Sequence, residues 1–406
     1  MAKRALHPYS RIAAVCTVAS LSVATAPAWA SGFRLPEASI AGLATSNALV
    51  ANEKLLGAIP YNPAAMAFHD GTHVIAGAML VQPDLSVTPE EGGPNVTSVG
   101  KDNIFVPNAA LTARLDEQWS WGLLINAPFG LETTWPEGTF PKFAGPLEPA
   151  HPTHSNIEML NFNPNAAYRV NENTSLAFGL DFYHVMSVAL DAAGANVGGT
   201  GSGIGVNLAT MHTAGPWSFG GSYRSAVDAD IDGAVGPAPA TTEVNFPWML
   251  QVGAKYQPSD KWAVELDIER TGWSRFDVIE IDSPFPAAQA TSTNNWDDAN
   301  AYRIGGIYQL SDKTQLRLGY TFDETGQPEE HFSARVPDAD RQLLSVGFAH
   351  EFGGWTLEGG YMYVKFDDRT VDNTAPPAAD PNGTSAYNGE YESNVNLFGL
   401  GVTKKF

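Results

Sequence analysis

The sequence predicts an all-β protein, specifically a transmembrane antiparallel β-barrel of about 14 strands with an N-terminal plug, or hatch, inside its lumen. Three observations lead to this prediction. Segments in which polar and apolar residues alternate fill the chain after residue 68. The connections between these segments alternate between short and long. No apolar run downstream of residue 30 approaches the roughly 18 residues that a membrane-spanning helix requires.

The first thirty residues have the features of a secretory signal peptide. A basic start over residues 3–11 precedes an apolar run over 12–26, and residues 28–30 read A-W-A, a cleavage pattern. Cys16 is the only cysteine, so the mature chain is predicted to have neither disulfides nor cysteine metal ligands. With 44 acidic and 23 basic residues, the chain is an improbable partner for nucleic acid.

Residues 31–68 are predicted to form the plug, and residues 69–406 the barrel. The plug segment is rich in Gly, Ala and Asn and lacks the alternation of a strand. Asn62-Pro63-Ala64 near its end predicts one capped helical turn over Pro63 to Phe68, since Asn is a good N-cap and Pro suits the first helical position. This turn would fix the end of the plug to the barrel wall just before the first strand.

Alternation along the later segments predicts two distinct faces on each strand. One segment places its apolar residues at even positions and its acidic residues at odd positions; these are Trp262, Val264, Leu266 and Ile268 against Glu265, Asp267 and Glu269. In a membrane barrel the apolar set faces lipid and the polar set faces the lumen. In a soluble sandwich the apolar faces would instead meet in a core.

Tracing these segments gives fourteen strands, an even number as expected for a single-chain barrel. They cover residues 72–83, 102–114, 119–130, 155–169, 174–190, 202–213, 216–228, 246–256, 261–279, 298–309, 314–323, 340–351, 354–366 and 391–405. Long connections are predicted at 84–101, 131–154, 229–245, 280–297, 324–339 and 367–390. Short periplasmic turns opposite long outer loops are the pattern of a membrane barrel, and a sandwich has no reason to show it.

The third predicted strand contains Pro128-Phe129-Gly130, which predicts a kink. Proline removes one hydrogen bond of the ladder, and a nearby glycine weakens the pairing further. A broken ladder at membrane depth is tolerated only where the freed groups meet protein or a water-filled cavity. Pro107 and Pro164 lie in the adjacent second and fourth strands. We therefore expect a lateral opening on this side of the wall; bulges near the strand ends are the alternative for Pro107 and Pro164.

Five short motifs resemble the FadL-like family of Gram-negative outer-membrane transport proteins for long-chain fatty acids and hydrocarbons. They are Ser31-Gly32-Phe33, Asn62-Pro63-Ala64, Pro128-Phe129-Gly130-Leu131, Thr271-Gly272-Trp273-Ser274-Arg275-Phe276 and Val336-Pro337-Asp338-Ala339-Asp340-Arg341. The resemblance covers the mature chain. It implies a fourteen-stranded barrel with an N-terminal hatch, binding of amphipathic ligands, and exit sideways into the membrane. The connection Asp191–Gly201 is shorter than the long loop of the better-known fatty-acid members, which leaves room for another ligand class.

The candidate site residues fall into four groups. Hatch and gating residues are Phe33, Leu35, Pro36, Asn62, Pro63 and Ala64, and the lateral opening is assigned to Pro128, Phe129 and Gly130. A ligand carboxylate would need a cation, for which the candidates are Arg303, Arg317, Arg224 and Arg341; the alternative for each is an ion pair with a lumenal acid. Apolar ligand contacts are assigned to Ile40, Leu43 and Phe129, with packing of the plug against the wall as the alternative.

The expected function is passive outer-membrane transport of hydrophobic compounds, foremost long-chain fatty acids, with exit near the kinked third strand. Uptake of aromatic hydrocarbons by the same route is the alternative. A general porin has no use for the plug, an adhesin is indifferent to it, and no G-x-S-x-G or comparable nucleophile pattern predicts an enzyme such as a lipase.

No cofactor is expected. The pairs His151 with His154 and His69 with His73 have no third ligand nearby, so no metal site is predicted. The expected partners are a hydrophobic small molecule and the lipid and lipopolysaccharide of a Gram-negative outer membrane, with the protein as a monomer.

Overall fold

The computed structural model describes residues 32–90, 92–143, 148, 150–374 and 384–406. The predicted signal peptide and Ser31 lie outside the described residues. The chain forms a closed antiparallel barrel of fourteen strands, as the sequence predicts. The strands are β1 (Thr72–Pro89), β2 (Ile104–Arg114), β3 (Trp119–Asn126 and Gly130–Thr134), β4 (Pro152–Asn171), β5 (Thr174–Ala192), β6 (Val197–Ala214), β7 (Trp217–Arg224 and Val227–Val235), β8 (Ala238–Phe246 and Met249–Ser259), β9 (Trp262–Thr271), β10 (Ala299–Ser311), β11 (Thr314–Asp323), β12 (Arg341–Phe352), β13 (Trp355–Phe366) and β14 (Gly389–Lys405).

The barrel closes because β1 pairs antiparallel with β14 along almost its whole length, from His73 opposite Lys405 to Pro89 opposite Gly389. Inside the lumen, the hatch contains one short helix, α1 (Ile40–Ala44), and 3-10 helices at Leu56–Ala58 and Pro63–Phe68. In the described parts of the long connections there are four short strands, at Val96–Thr97, Val278–Ile281, Ala290–Thr293 and Arg369–Val371. Further 3-10 turns there are Pro141–Phe143, Trp273–Arg275, Pro286–Ala288, Glu329–His331 and Thr384–Tyr387. Within the described ranges, no helix is both long enough and apolar enough to cross a membrane.

The two faces of each strand are those that alternation predicts. On β9, Leu266 is 57 % exposed on the outside, whereas its neighbour Asp267 is 2 % exposed and faces the lumen. On β14, Phe398 and Leu400 are likewise exposed outward. Lipid therefore meets apolar side chains on these strands, and the lumen face of β9 is polar.

The seventh connection differs from the sequence prediction. Residues 229–245, expected to be a long loop, form the paired ends of β7 and β8, which continue the wall as a hairpin. The glycine-rich run 198–205, part of which falls in the predicted connection Asp191–Gly201, is part of β6. Its inward glycines leave space for side chains of β7, since a Cβ at Gly201 would lie 2.6 Å from Cδ1 of Ile231. Glycine therefore serves close packing here rather than a turn.

The ninth strand is shorter than predicted and ends at Thr271 instead of residue 279. Gly272 follows, and the chain turns into the 3-10 segment Trp273–Arg275. A Cβ at Gly272 would lie 2.0 Å from Nε1 of Trp248, so only glycine permits the close approach of this turn. The turn directs Trp273, which is fully buried, toward the lumen.

At several glycines on the lumen side of the wall, the hatch lies in direct contact with the strands. We call these glycines the glycine seats. A Cβ at Gly319 would lie 2.1 Å from the carbonyl carbon of Thr45, and one at Gly220 would lie 1.9 Å from the carbonyl oxygen of Val50. The seats come in cross-strand pairs such as Gly305 opposite Gly319. Other members of the set are Gly77, Gly253, Gly347, Gly360, Gly399 and Gly401. At these seats the hatch therefore lies against the wall with no wall side chain between.

Candidate functional site

The wall is interrupted between β2 and β3. Ladder pairing of these strands covers only residues 109–114 of β2 and 120–125 of β3. After this paired stretch β3 breaks at residues 127–129. Its second segment, Gly130–Thr134, forms a ladder with β4 and not with β2. Residues 109–114 of β2 are therefore paired with β3, whereas Ile104–Asn108 of β2 are not. A window remains between Ile104–Asn108 of β2 and Gly130–Thr134 of β3.

The hatch satisfies the backbone groups that the kink frees. The amide of Leu35 donates to the carbonyl of Pro128 at 2.9 Å, and the amide of Gly130 donates to the carbonyl of Phe33 at 3.0 Å. Arg34 and Phe129 thus form an isolated antiparallel bridge. The backbone groups freed by the break therefore form hydrogen bonds with the hatch and do not face lipid. This is the condition under which such a break is tolerated at membrane depth.

The first long connection, which joins β1 to β2, passes over the window. We call its residues 96–101 the strap. Val96–Thr97 pairs with β1, and the amide of Val99 donates to the carbonyl of Thr134 at 2.8 Å. At the end of the strap, Lys101 forms ion pairs with Glu158 of β4 and, at 3.6 Å, with Glu132 of β3. The strap therefore joins β1 to β3 above the gap.

A mainly apolar cavity of about 180 Å³ lies between the first hatch residues and the window. Its walls come from the hatch, the strap and β1–β4, and from β12–β14, which continue the wall beyond the β1–β14 seam. Apolar lining residues are Phe33, Leu35, Pro36, Val81, Leu85, Ile104, Val106, Leu131, Ile157, Val336, Leu343, Val364, Phe366, Val395 and Leu397. Charged lining residues are Arg34, Glu37, Lys101, Glu132, Glu158, Asp338 and Arg341. A hydrophobic ligand here would touch both the hatch and the edges of the window.

Four of the sequence motifs meet at the start of the hatch. The ring of Phe33 packs edge-on against Trp273 at 4.8 Å and against Phe276 at 5.3 Å, and lies 5.9 Å from Phe129. The carboxylate of Asp338 accepts a hydrogen bond of 3.0 Å from the amide of Gly32. Residues far apart in the chain therefore hold one end of the hatch in place.

Three carboxylates of β9 hold the middle and the start of the hatch, and we call Glu265, Asp267 and Glu269 the β9 latch. Glu265 accepts hydrogen bonds from the amide of Ala51 at 2.5 Å and from the Asn52 side chain at 3.1 Å. Asp267 accepts one from the amide of Val50 at 3.0 Å. The latch fixes hatch residues 50–52 to a single strand of the wall.

The third latch residue, Glu269, binds the start of the hatch. It accepts a hydrogen bond from Nη2 of Arg34 at 2.7 Å. It also pairs with Arg303 of β10 at 3.0 Å. All three side chains are buried, so this network is strong only while every member is present. Alternation predicted that the acidic residues of β9 face inward, but not that the hatch binds them.

The end of the hatch is fixed to a different side of the wall. Asn62 caps the 3-10 helix Pro63–Phe68 by accepting from the amide of Ala64 at 3.1 Å, in the position that the sequence predicts for a cap. Its side-chain amide also donates to the carbonyl of Thr210 on β6 at 2.9 Å. The hydroxyl of Ser175 on β5 donates to the carbonyl of Ala64 at 2.8 Å. These contacts tie Asn62-Pro63-Ala64 to the wall.

The four arginines proposed for a ligand carboxylate all form ion pairs with acidic residues. Arg303 pairs with Glu269, and Arg317 with Glu358. Arg224 pairs with Asp181, and Arg341 with Asp323 at 2.9 Å. Of the four, Arg341 lines the apolar cavity. Arg224 instead faces a second chamber of about 40 Å³ beside Pro128, which has a mixed polar and apolar lining that includes hatch residues 34–36.

The remaining predicted contact residues are distributed around the cavity. Phe33, Leu35, Pro36 and Gly130 line it directly. Phe129 is fully buried in the aromatic cluster beside it. Ile40 and Leu43 pack under it against wall residues such as Met79 and Leu397.

Two buried acids at the cavity have perturbed proton affinities. Burial raises the pKa of the Glu37 carboxyl, although its hydrogen bond from the Asn47 side chain at 2.8 Å acts in the opposite direction. Burial likewise raises the pKa of Asp338, against the effect of Arg341 and of its hydrogen bonds. Among the described residues, no group of three or more His, Cys, Asp or Glu side chains is arranged to hold a metal ion.

A family model agrees with this architecture. The model described as "Outer membrane protein transport protein (OMPP1/FadL/TodX)" matches residues 21–218 and 195–406. Among curated relatives, the long-chain fatty acid transport protein of Escherichia coli K12 is 26% identical over 408 residues, covering 83% of this chain and 89% of its own. The 47 kDa outer membrane protein of Pasteurella multocida is 23% identical and covers 98% of this chain and 99% of its own.

Solved structures share the fold. A FadL homologue of Pseudomonas aeruginosa superposes with a TM-score of 0.77 at 16% identity, covering 93% of this chain and 100% of its own. The toluene transporter TodX of Pseudomonas putida gives a TM-score of 0.71 at 15% identity, with the same coverage. At these identities the likeness concerns the fold alone.

Proposed function

Because this chain belongs to the outer-membrane transport protein family that includes FadL and TodX, we propose that it carries long-chain fatty acids through a hatch-filled barrel and releases them sideways. The chain is an outer-membrane transport protein and not an enzyme. The proposal concerns its ligand, its route and the role of the hatch. In this route the ligand enters the apolar cavity, the hatch shifts, and the ligand leaves through the window into the bilayer.

The observation that carries the proposal is the position of the cavity between the hatch and the window. Leu35 of the hatch and Gly130 of β3 line the same space, and a Cβ at Gly130 would lie 2.8 Å from Cδ1 of Leu35. Leu35 also holds the kink through its amide. A shift of residues 33–35 would therefore change the cavity and the kink together, which supports the hatch as the gating element.

The hatch also argues against an open pore for polar solutes. It lies on the wall through the glycine seats and fills the lumen. The cavity is mostly apolar, as ligand sites for hydrophobic molecules are. A polar solute would gain little from this mostly apolar lining.

The size of the cavity favours a second candidate, uptake of a monoaromatic hydrocarbon. A dry protein cavity of roughly 150 Å³ is large enough for benzene, and this one measures about 180 Å³. A long acyl chain would fit only in part until the hatch moves. Similar proteins include one for each candidate ligand class. One is named a long-chain fatty acid transport protein and another a toluene transporter.

Ligand competition distinguishes the two candidates. Detergent-purified protein is equilibrated with a fluorescent long-chain fatty acid, and the probe is displaced with oleate or with toluene. The proposal predicts displacement by oleate. Displacement by toluene alone would assign hydrocarbon uptake, and binding of neither would contradict a hydrophobic transporter.

We further propose that the protein acts as a monomer whose exposed apolar faces meet outer-membrane lipid and lipopolysaccharide. The side chains that face outward on β9 and β14 are apolar, as contact with lipid requires. Sedimentation or native mass measurement in detergent tests the monomer.

A further inference from the structure

We propose that Lys101 of the strap binds the carboxylate of an acidic ligand at the window, with the acyl chain extending into the apolar cavity. This inference rests on the proposed transport of fatty acids and adds the site of the ligand's head group. It concerns a residue in the first long connection, which is separate from the four wall arginines considered above.

Three cations among the described residues line the cavity, and they differ in how firmly their partners hold them. Arg34 is bound to Glu269, and Arg341 to Asp323, and both carboxylates are almost wholly buried. A ligand that took either arginine would leave a buried carboxylate without its partner, which is strongly unfavourable. These two cations therefore belong to the architecture of the hatch and wall.

Lys101 is in a different situation. Its side chain is 53 % exposed and that of its partner Glu158 is 44 % exposed. Ion pairs between exposed side chains contribute little because water solvates both partners. A ligand carboxylate can therefore replace Glu158 at Lys101, and the released glutamate passes into solvent at small cost.

The second acid at this position remains in place during such an exchange. Glu132 is 5 % exposed on its side chain and accepts a hydrogen bond from the Asn156 side chain at 3.1 Å. His154 lies 3.6 Å away on its other side. Glu132 thus has partners besides Lys101, so the exchange involves Glu158 alone.

The position of Lys101 sets the orientation of the ligand. Lys101 lies at the exposed rim of the cavity, and Ile104, Val106 and Leu131 line the space behind it. In this orientation the ligand carboxylate binds the Lys101 ammonium at the rim, and the acyl chain packs against the apolar residues of the cavity. Opening of the window would then release the head group toward the lipid interface, where a charged group is tolerated.

The test compares oleate with oleyl alcohol, which has the same chain without the charge, by equilibrium binding to the full mature protein in detergent. K101M should weaken oleate binding by up to about fivefold, the factor that an ion pair at a half-exposed lysine is worth, and leave oleyl alcohol unchanged. K101R should retain oleate binding. E158Q should tighten oleate by up to about fivefold, because it removes the competing carboxylate.

K142M is the matched control, since Lys142 is another loop lysine that pairs with an acid, Glu90, away from the window. It should bind both ligands as the unaltered protein does. If K101M lost binding of both oleate and oleyl alcohol, the head-group site would be overturned. Unchanged oleate binding in both K101M and E158Q would overturn it as well, and the proposed transport function would stand in either case. Failure of the unaltered protein to bind either ligand would overturn the proposed function as well.

Discussion

Deletion of residues 34–60 is expected to abolish ligand binding and to turn the barrel into a leaky pore. The deletion removes Leu35 and Glu37 from the cavity wall and the whole segment that lies on the glycine seats. A ring of fourteen strands lies between barrels of roughly 8 strands, which side chains fill, and porins of roughly 16 strands, which hold a water channel. Swelling of proteoliposomes in a small sugar measures the leak, and oleate binding measures the site.

The barrel itself should survive this deletion. The latch carboxylates lose their hatch partners, but water entering the lumen can solvate them. Circular dichroism of the variant therefore serves as the control, and the strand signal should be retained. A variant that still binds oleate and admits no sugar would show that the hatch neither forms the site nor blocks the lumen.

Replacement of Glu269 by glutamine is expected to release the start of the hatch. The variant leaves Arg34 and Arg303 buried without their shared carboxylate. Breaking a buried ion pair in this way costs about 3–5 kcal/mol, which is large compared with a shift of one hatch segment. Release can be followed by thiol labelling at A48C, because Ala48 is buried and Cys16, the single native cysteine, lies in the predicted signal peptide.

A matched control is E358Q, which breaks a buried ion pair of the same kind between two wall strands. Glu358 of β13 pairs with Arg317 of β11. This variant should lose barrel stability without exposing A48C. Equal labelling of A48C in E269Q and E358Q would mean that general loosening of the barrel, and not the β9 latch, releases the hatch.

Local rules account for the wall of this protein. Alternation along β9 and β14 correctly assigned the lipid and lumen faces, since each strand must satisfy two different solvents. The cap at Asn62 was also readable, because it depends on neighbours within two residues. The break at Pro128 follows from the missing amide of proline and needs no knowledge of distant parts of the chain.

Long-range pairing accounts for what the sequence did not reveal. The acids of β9 look like ordinary lumen residues, and only the folded hatch shows that Ala51 and Arg34 bind them. The glycines of β6 resemble a loop because composition does not show that Val227 and Ile231 lie against them. The strap is similar, since Lys101 lies 57 residues from Glu158 and nothing near it in the chain predicts that pair.

The most direct test of the central claim, lateral exit between β2 and β3, is a reversible cross-link between the strap and β3 at the edge of the window. A Cβ at Gly100 would lie 3.3 Å from Cγ of Glu132. Because Cγ takes the place of the sulfur in E132C, the G100C and E132C side chains are close enough for a disulfide to form. Oleate transfer by the oxidised double variant in proteoliposomes should fall to the level of protein-free vesicles. Reduction should restore it, and neither single variant should respond to oxidation. Transfer at the unaltered rate with the cross-link formed would contradict the lateral route.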